Sequence, residues 1–343
     1  MKHLHPNLIR QLFVLMVIIG FAIIIFRGIA PYLTGFLGAI TLYVLSYPLM
    51  ERLDRFNVPS AVGALLLIIS SFFLILLPLW GIISMLSERV TDAMINSSQV
   101  TKQVKEYFME LEQRSGIFLM DRLQESTLTD WLTSNFTGLL STTMDTVISI
   151  GIMYFILYYM LTNRKKLRKA LFHYLPMADS SLAIIEKESK AMVRANALGI
   201  PLVAVVQAII ALLGFIIFGI QEPIFWAIIV FIGSMIPIVG TLIGTIPVFI
   251  VAIANGQEFQ AWGILLYGLI VVGSADNLVR MFAIKKLDNI HPLITLIGVL
   301  IGLPLFGFIG LIFGPLLVSI FLVLVKIYKN EFGLSTVDNK AKL

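Results

Sequence analysis

Apolar positions in this chain come in long unbroken runs, without the alternating or three-to-four spacing of elements that have one wet face. No Asp, Glu, Lys or Arg falls within Ala195–Gln221, Pro223–Gln257, Phe259–Ala275 or Pro292–Val325. About 20 apolar residues of helix cross a bilayer, and backbone polar groups in hydrocarbon need partners inside their own segment, so such runs predict transmembrane α-helices. The expected spans are Leu12–Phe26, Tyr32–Pro48, Ser60–Leu86, Thr146–Leu161, Leu198–Ile220 and Phe259–Ala275. The short joint around Arg27 predicts an antiparallel hairpin for the first two. Leu12–Phe26 also imitates a signal peptide, but Pro31 follows the best cleavage position, so it reads as a retained span.

Two runs do not fit one crossing. Pro223–Gln257 has 35 residues and Pro292–Val325 has 34. A straight helix of that length would be about 52 Å long, against roughly 30 Å of hydrocarbon. Two full crossings with a turn would need about 45 residues. Each run is therefore expected to be a broken helical hairpin. The breakers sit where a hairpin needs them: Pro237, Gly240, Gly244 and Pro247 in the first, and Pro304, Gly307, Gly310, Gly314 and Pro315 in the second. Proline removes a backbone donor, and glycine lets backbones approach closely. The runs also match each other, with Pro223 ten residues before Gly233 and Pro292 ten before Gly302. On alternating crossings they start from opposite faces, which is the pattern of an inverted repeat in a secondary transporter. Helix packing through small-xxx-small pairs is the plainer reading of any one glycine.

The fold class expected is thus all-α: a polytopic membrane protein with about six full spans plus two broken, oppositely entering hairpins. Five segments follow: membrane helices over 1–86, an extracytoplasmic helical segment over 87–135, central membrane helices over 136–220, a hairpin-containing core over 221–328 and a tail over 329–343. Within 87–135, Val90, Met94, Ser97, Thr101, Val104, Phe108 and Leu111 keep heptad spacing, which fits a helix on its own domain or one packing against other copies.

Charge sets the orientation. The N-terminus, Glu51–Pro59, Asn163–Ala195, Asp276–His291 and the C-terminal tail hold 19 of the 25 Lys and Arg residues, which predicts that these segments, and so both termini, lie inside. The cluster Arg164, Lys165, Lys166, Arg168 and Lys169 reads first as a topology anchor, followed by a short amphipathic helix marked by Leu182, Ile185, Met192 and Val193. Composition agrees with the membrane reading: 58% hydrophobic and 13% charged, against about 25% charged in a soluble domain. There is no cysteine, so disulfides and thiolate chemistry are excluded. A net charge of +5 needs no nucleic acid as its partner here.

Ionisable groups at membrane depth are the functional candidates. Asp276, Asn277 and Arg280 follow the span between the hairpins, and Arg280 sits one turn after Asp276, where a salt bridge forms. With Pro237, Gly240, Gly244, Gly302, Pro304, Gly307, Gly310 and Gly314 they define the expected solute path. Asp145, Asp276 and His291 are candidates for proton or ion coupling. HExxH, GxSxG and Walker motifs are absent, and no cofactor is expected. Gly273-Ser274-Ala275-Asp276 approaches the GxGD of intramembrane aspartyl proteases, but the topology puts Asp145 and Asp276 near opposite faces, whereas a shared-proton dyad needs contact.

The runs Ile236-Pro237-Ile238-Val239-Gly240, Asp276-Asn277, His291-Pro292 and Gly302-Leu303-Pro304-Leu305-Phe306-Gly307-Phe308-Ile309-Gly310-Leu311-Ile312-Phe313-Gly314-Pro315 resemble the autoinducer-2 exporter family, a UPF0118-type transporter group. The resemblance covers most of the chain. It implies a bacterial inner-membrane protein that exports a small signalling solute, with sodium or lithium/proton antiport as the alternative. It also implies homo-oligomers, with pentamers among them. A membrane scaffold without transport is the third expectation. The implied partners are the lipid bilayer, a small molecule or cation as substrate, and further copies of the chain, but no nucleic acid.

Overall fold

The computed structural model describes residues 6–95, 144–236, 240–275 and 292–332, and every element in these ranges is helical. The fold class is as the apolar runs require: an all-helical membrane protein. Five helical stretches are long and apolar enough to cross a bilayer, or six if residues 147–174 form one broken span.

Helix α1 (Pro6–Ile29) leads through a 3₁₀ turn (Ala30–Tyr32) into α2 (Leu33–Arg55). The expected hairpin here is not formed. Ile29 and Leu33, on either side of the turn, keep right-handed helical torsions, so the backbone continues where a reversal would be needed. The large apolar side chains of α1 from Leu12 to Ile29 that stand free of the protein are 40–69% exposed, which leaves α1 facing lipid.

Next come α3 (Ser60–Ile95) and α4 (Met144–Thr162). Only Ser87–Ile95 of the expected external segment is described, as the continuation of α3; the rest of the heptad seam lies outside the described residues. Helices α2, α3 and α4 bury Ala39, Met50, Ala64, Leu157 and Leu161 in one cluster. Small residues bring them close: a Cβ on Gly38 would meet the Met153 sulfur at 2.8 Å.

A short helix, α5 (Arg164–Tyr174), turns 89° from α4. Helix α6 (Asp179–Ile217) then runs for 39 residues, about 58 Å. This corrects the expectation of a short surface helix followed by a separate span from Leu198. No breaker separates the two parts, and Pro201 costs one hydrogen bond without ending the helix. Leu182, Met192 and Val193, expected on a surface helix, are buried.

Both long apolar runs fold back on themselves. The first gives α7 (Pro223–Ser234) and α8 (Gly240–Ala254); the second gives α10 (Pro292–Phe306), a 3₁₀ turn (Gly307–Ile309) and α11 (Gly310–Phe332). In each pair the arms pack on one another. Pro223 and Pro292 open their helices, at positions where the missing N–H has no intrahelical partner to lose. The arms of the first hairpin, 12 and 15 residues, measure about 18 and 22 Å, short of a full crossing.

Between the hairpins lies α9 (Glu258–Tyr267), which widens into a π turn (Gly268–Val272) before a last helical turn to Ala275. This span looks ordinary in sequence, and the π turn is not visible there. The glycine at its start fits a crowded place: a Cβ on Gly268 would stand 2.5 Å from Thr245 Cγ2 on α8.

Candidate functional site

The two hairpins are organised by α6. Ala211 and Phe215 of its second half pack with Ala227 and Val230 of α7 and with Val248, Ala252 and Ile253 of α8. Helix α7 starts just past the α6 C-terminus and runs back along it. Met192 and Val193 of the first half pack with Phe313 and Leu316 of α11. Ile200, Val299 and Leu311 form a small cluster of their own, against which Met235, just after α7, and Leu303, near the end of α10, both pack. Moving along α11, Leu311 lies at Ile200, Ile312 accepts a hydrogen bond from Asn196, and Leu316 joins Met192. Helix α11 therefore leaves Ile200 towards the α6 N-terminus. The hairpins approach from opposite ends of α6 and meet tip to tip at Ile200, about 32 Å from its start and 26 Å from its end.

Glycines close both hairpins. A Cβ on Gly240 would lie 2.5 Å from Ser234 Cα, and one on Gly244 would lie 3.0 Å from Val230 Cα. In the second hairpin, a Cβ on Gly298 would sit 2.6 Å from the Gly314 carbonyl carbon, and one on Gly302 would sit 2.7 Å from Gly314 Cα. The sequence register thus becomes a spatial one, because Gly233 faces Gly240 as Gly302 faces Gly310. Gly307 plays a different part. It has open space around it and a φ of +60°, so it makes the turn, which a Cβ would strain. Pro304 is exposed, with its ring turned away from the seam.

The meeting point is polar despite its apolar wrapping. Asn196 is 8% exposed and Gln207 2%, both on α6. At 100° per residue, Glu186, Lys190, Asn196, Ile200 and Gln207 fall within one arc of about 120°. Asn196 Nδ2 donates a long 3.4 Å hydrogen bond to the Ile312 carbonyl. Pro201 leaves the Ala197 carbonyl without its helical donor in the same stretch. At the first tip, Ser234 is 3% exposed and its Oγ has no hydrogen-bond partner among the described residues. Thr241 and Thr245 of α8 are also buried, with Thr245 Oγ1 donating to the Thr241 carbonyl at 2.9 Å. A buried hydroxyl without a partner costs about 1–3 kcal/mol, a cost that a hydrogen bond to Ser234 Oγ would remove.

Sequence reasoning found the glycines of this site and missed Asn196, Gln207, Ser234, Thr241 and Thr245. Single neutral polar residues inside apolar runs carry no periodic signal; the one available clue was that Asn196 and Gln207 share a helix face. Of the other candidates, Pro237, Asp276, Asn277, Arg280 and His291 lie outside the described residues, and Asp145 falls in the first turn of α4.

Below the tips, charged side chains tie α2, α5 and α6 together. Arg164 at the α4–α5 bend pairs with Asp54 of α2. Glu186 of α6 accepts from Arg168 at 3.0 Å and from Lys190 at 2.7 Å. Lys190 also stands 4.7 Å over the Tyr47 ring. Arg164 is 9% exposed and its Nη1 has no partner among the described residues.

Opposed broken hairpins meeting at a buried polar face inside an apolar helical protein define the class: a multi-pass membrane protein with transporter architecture. The comparisons agree. Residues 12–330 match the profile described as "AI-2E family transporter", and the chain belongs to that family. A provisionally named transport protein of Aquifex aeolicus (strain VF5) is 29% identical over 178 residues, 51% of this chain and 50% of that protein. A provisionally named transport protein of Buchnera aphidicola subsp. Acyrthosiphon pisum (strain APS) is 31% identical over 169 residues, 46% and 44% of the two chains. YdiK of Escherichia coli (strain K12), also provisionally named for transport, is 32% identical over 133 residues, 37% and 34%. The chain spans about half or less of the length of these curated relatives.

Proposed function

We propose that this protein is a secondary transporter or facilitator that moves a small polar solute across the bilayer between the two hairpin tips. The observation that carries the reading is the tip-to-tip meeting at Ile200, with buried Ser234 next to Met235, buried Asn196 one turn before Ile200 and buried Gln207 about 10 Å further along the same face of α6. Neutral donors and acceptors in a dry setting suit a small hydroxylated, uncharged molecule, because each solute hydroxyl replaces a water bond with a protein bond. A solute like autoinducer-2, the molecule for which the family is named, belongs to that class, and export from a bacterial cell is the direction proposed. In this reading one hairpin loosens from α6 while the other stays closed, so the polar arc opens to one end at a time. Asp276, Asn277 and Arg280, following the π turn, are proposed to line the end of the path.

A second reading has one observation in its favour. Helices α7 and α10 both end at the tips, so both direct the negative ends of their dipoles at the meeting point. That suits a cation, and sodium or lithium/proton antiport with Asp276, Asp145 or His291 as the proton carrier is the corresponding function.

The test is flux through the full chain in proteoliposomes, with labelled solute on one side and a proton-sensitive dye on the other. Asn196→Leu and Gln207→Leu are expected to cut solute flux about tenfold or more, the effect of losing one well-placed hydrogen bond in a dry site. Wild-type flux in both variants sinks the proposed path. A dye response to sodium or lithium without solute flux selects the second reading.

A further inference from the structure

Helix α5 does not behave as a connector. Helix α4 has no charged residue from Thr146 to Thr162 and is membrane-length, so an 89° turn at Asn163 lays α5 along the bilayer plane. At 100° per residue, Leu167, Ala170, Leu171 and Tyr174 fall within one arc of about 100°, and Lys165, Lys166, Lys169 and His173 fall on the other side. The protein covers only part of the apolar arc: Leu167 and Ala170 are half-buried, whereas Leu171 is 52% and Tyr174 81% exposed, and Leu175 just beyond is 46% exposed. Lys165, Lys166 and Lys169 are exposed, and none is paired with a carboxylate among the described residues. The other two cations of the cluster are engaged. Arg164 holds Asp54, and Arg168 holds Glu186 while stacking 4.8 Å over Phe172.

We propose that α5 is an interfacial helix that binds the headgroups of anionic phospholipids through Lys165, Lys166 and Lys169. Its apolar arc sits at the headgroup–acyl boundary, where exposed Leu171 and Tyr174 leave water, and the lysines reach the phosphate layer beside it. Arg164 and Arg168 do a separate job, fastening the helix to α2 and α6, so that lipid on α5 bears on the helix that carries the polar arc. A topology anchor needs only positive charge near the end of a span. The orientation of α5, its exposed apolar arc and the division of its cations into three free and two engaged are what a lipid site adds.

The experiment uses the full chain released from membranes into an equal mixture of phosphatidylglycerol and phosphatidylcholine, with retained lipid counted by native mass spectrometry. Wild type is expected to keep phosphatidylglycerol in preference to phosphatidylcholine, and K165Q/K166Q/K169Q to lose that preference by about tenfold or more, given roughly 1 kcal/mol per basic residue near an anionic surface. K187Q, at an exposed lysine of α6 outside the patch, is expected to behave as wild type. Equal retention by wild type and the triple variant overturns the proposal, and so does an equal loss in K187Q, which marks an effect of net charge. Displacement of the lipid by free inorganic phosphate overturns it as well, because the site would then read phosphate without the membrane. K169Q alone, and the fall in preference with rising salt in the wild type, keep the test decisive if the triple variant does not fold.

Discussion

At the scale of single residues, burial and function separate most cleanly at Ser234. Its hydroxyl is buried at the tip of the first hairpin and has no hydrogen-bond partner among the described residues. Replacing it with alanine removes an unmet polar group, so Ser234→Ala is expected to leave stability unchanged or raise it by about 1 kcal/mol. If the hydroxyl waits for a solute, flux falls at the same time. A thermal melt in detergent beside a flux assay checks both, and unchanged flux with raised stability would mark Ser234 as a structural flaw without a role in transport. The glycines behave oppositely. Gly302→Leu forces side-chain atoms into the backbone of α11, where a Cβ already meets Gly314 Cα at 2.7 Å. Overpacking of this kind costs about 1–3 kcal/mol, and the expected result is a lower melting temperature together with lost flux. These glycines were legible in the sequence because proline and glycine repeat at fixed offsets in both apolar runs. Ser234, Asn196 and Gln207 were not, because a buried polar side chain and a lipid-facing one look alike until packing assigns their neighbours.

At the scale of elements, length did most of the predicting and connectivity did the least. Runs of 35 and 34 uncharged residues forced two hairpins, and two hairpins formed. The joint at Arg27 looked like a turn, yet helical torsions at Ile29 and Leu33 carry the backbone straight on. The polar-to-apolar change near Ala195 looked like a boundary, yet α6 continues through it, because its charged half is covered by α2 and α11. Beside this cover, the Asp54–Arg164 pair holds α5 against α2. Asp54→Asn would leave a guanidinium that is 9% exposed without its counter-charge. A fully buried pair broken this way costs about 3–5 kcal/mol; with the Asp54 side chain 39% exposed to water, about 1–3 kcal/mol is expected. The drop should appear in a melt as earlier loss of the α2–α5 contact, followed by the fluorescence of a label on α5. The π turn gives a second test at this scale. An alanine inserted beside the π turn, after Val272, would rotate the following turn to Ala275 by about 100° relative to the helix before it. Folded protein with no flux is the expected outcome.

At the scale of the whole molecule, two hairpins enter from opposite ends of one long helix and touch. A transporter needs such a contact to be bistable, since access from both ends at once would short-circuit any gradient. Met235 and Leu303 pack against the same three residues, so side chains at these two positions lie within reach of a short cross-linker. The chain has no cysteine of its own, so M235C/L303C carries no background reaction. If transport requires one tip to part from α6 while the other stays, a cross-link between the tips is expected to stop flux, and reduction of a cleavable linker should restore it. The same link would leave stability unchanged or raise it, because it joins groups already adjacent. Full flux through the linked protein would show that the tips move as one body or do not move at all, and the path would then have to run elsewhere. The single-cysteine variants, treated with the same reagent, separate blockage by a bulky adduct from arrest by the link, since only the double variant ties the two hairpins together.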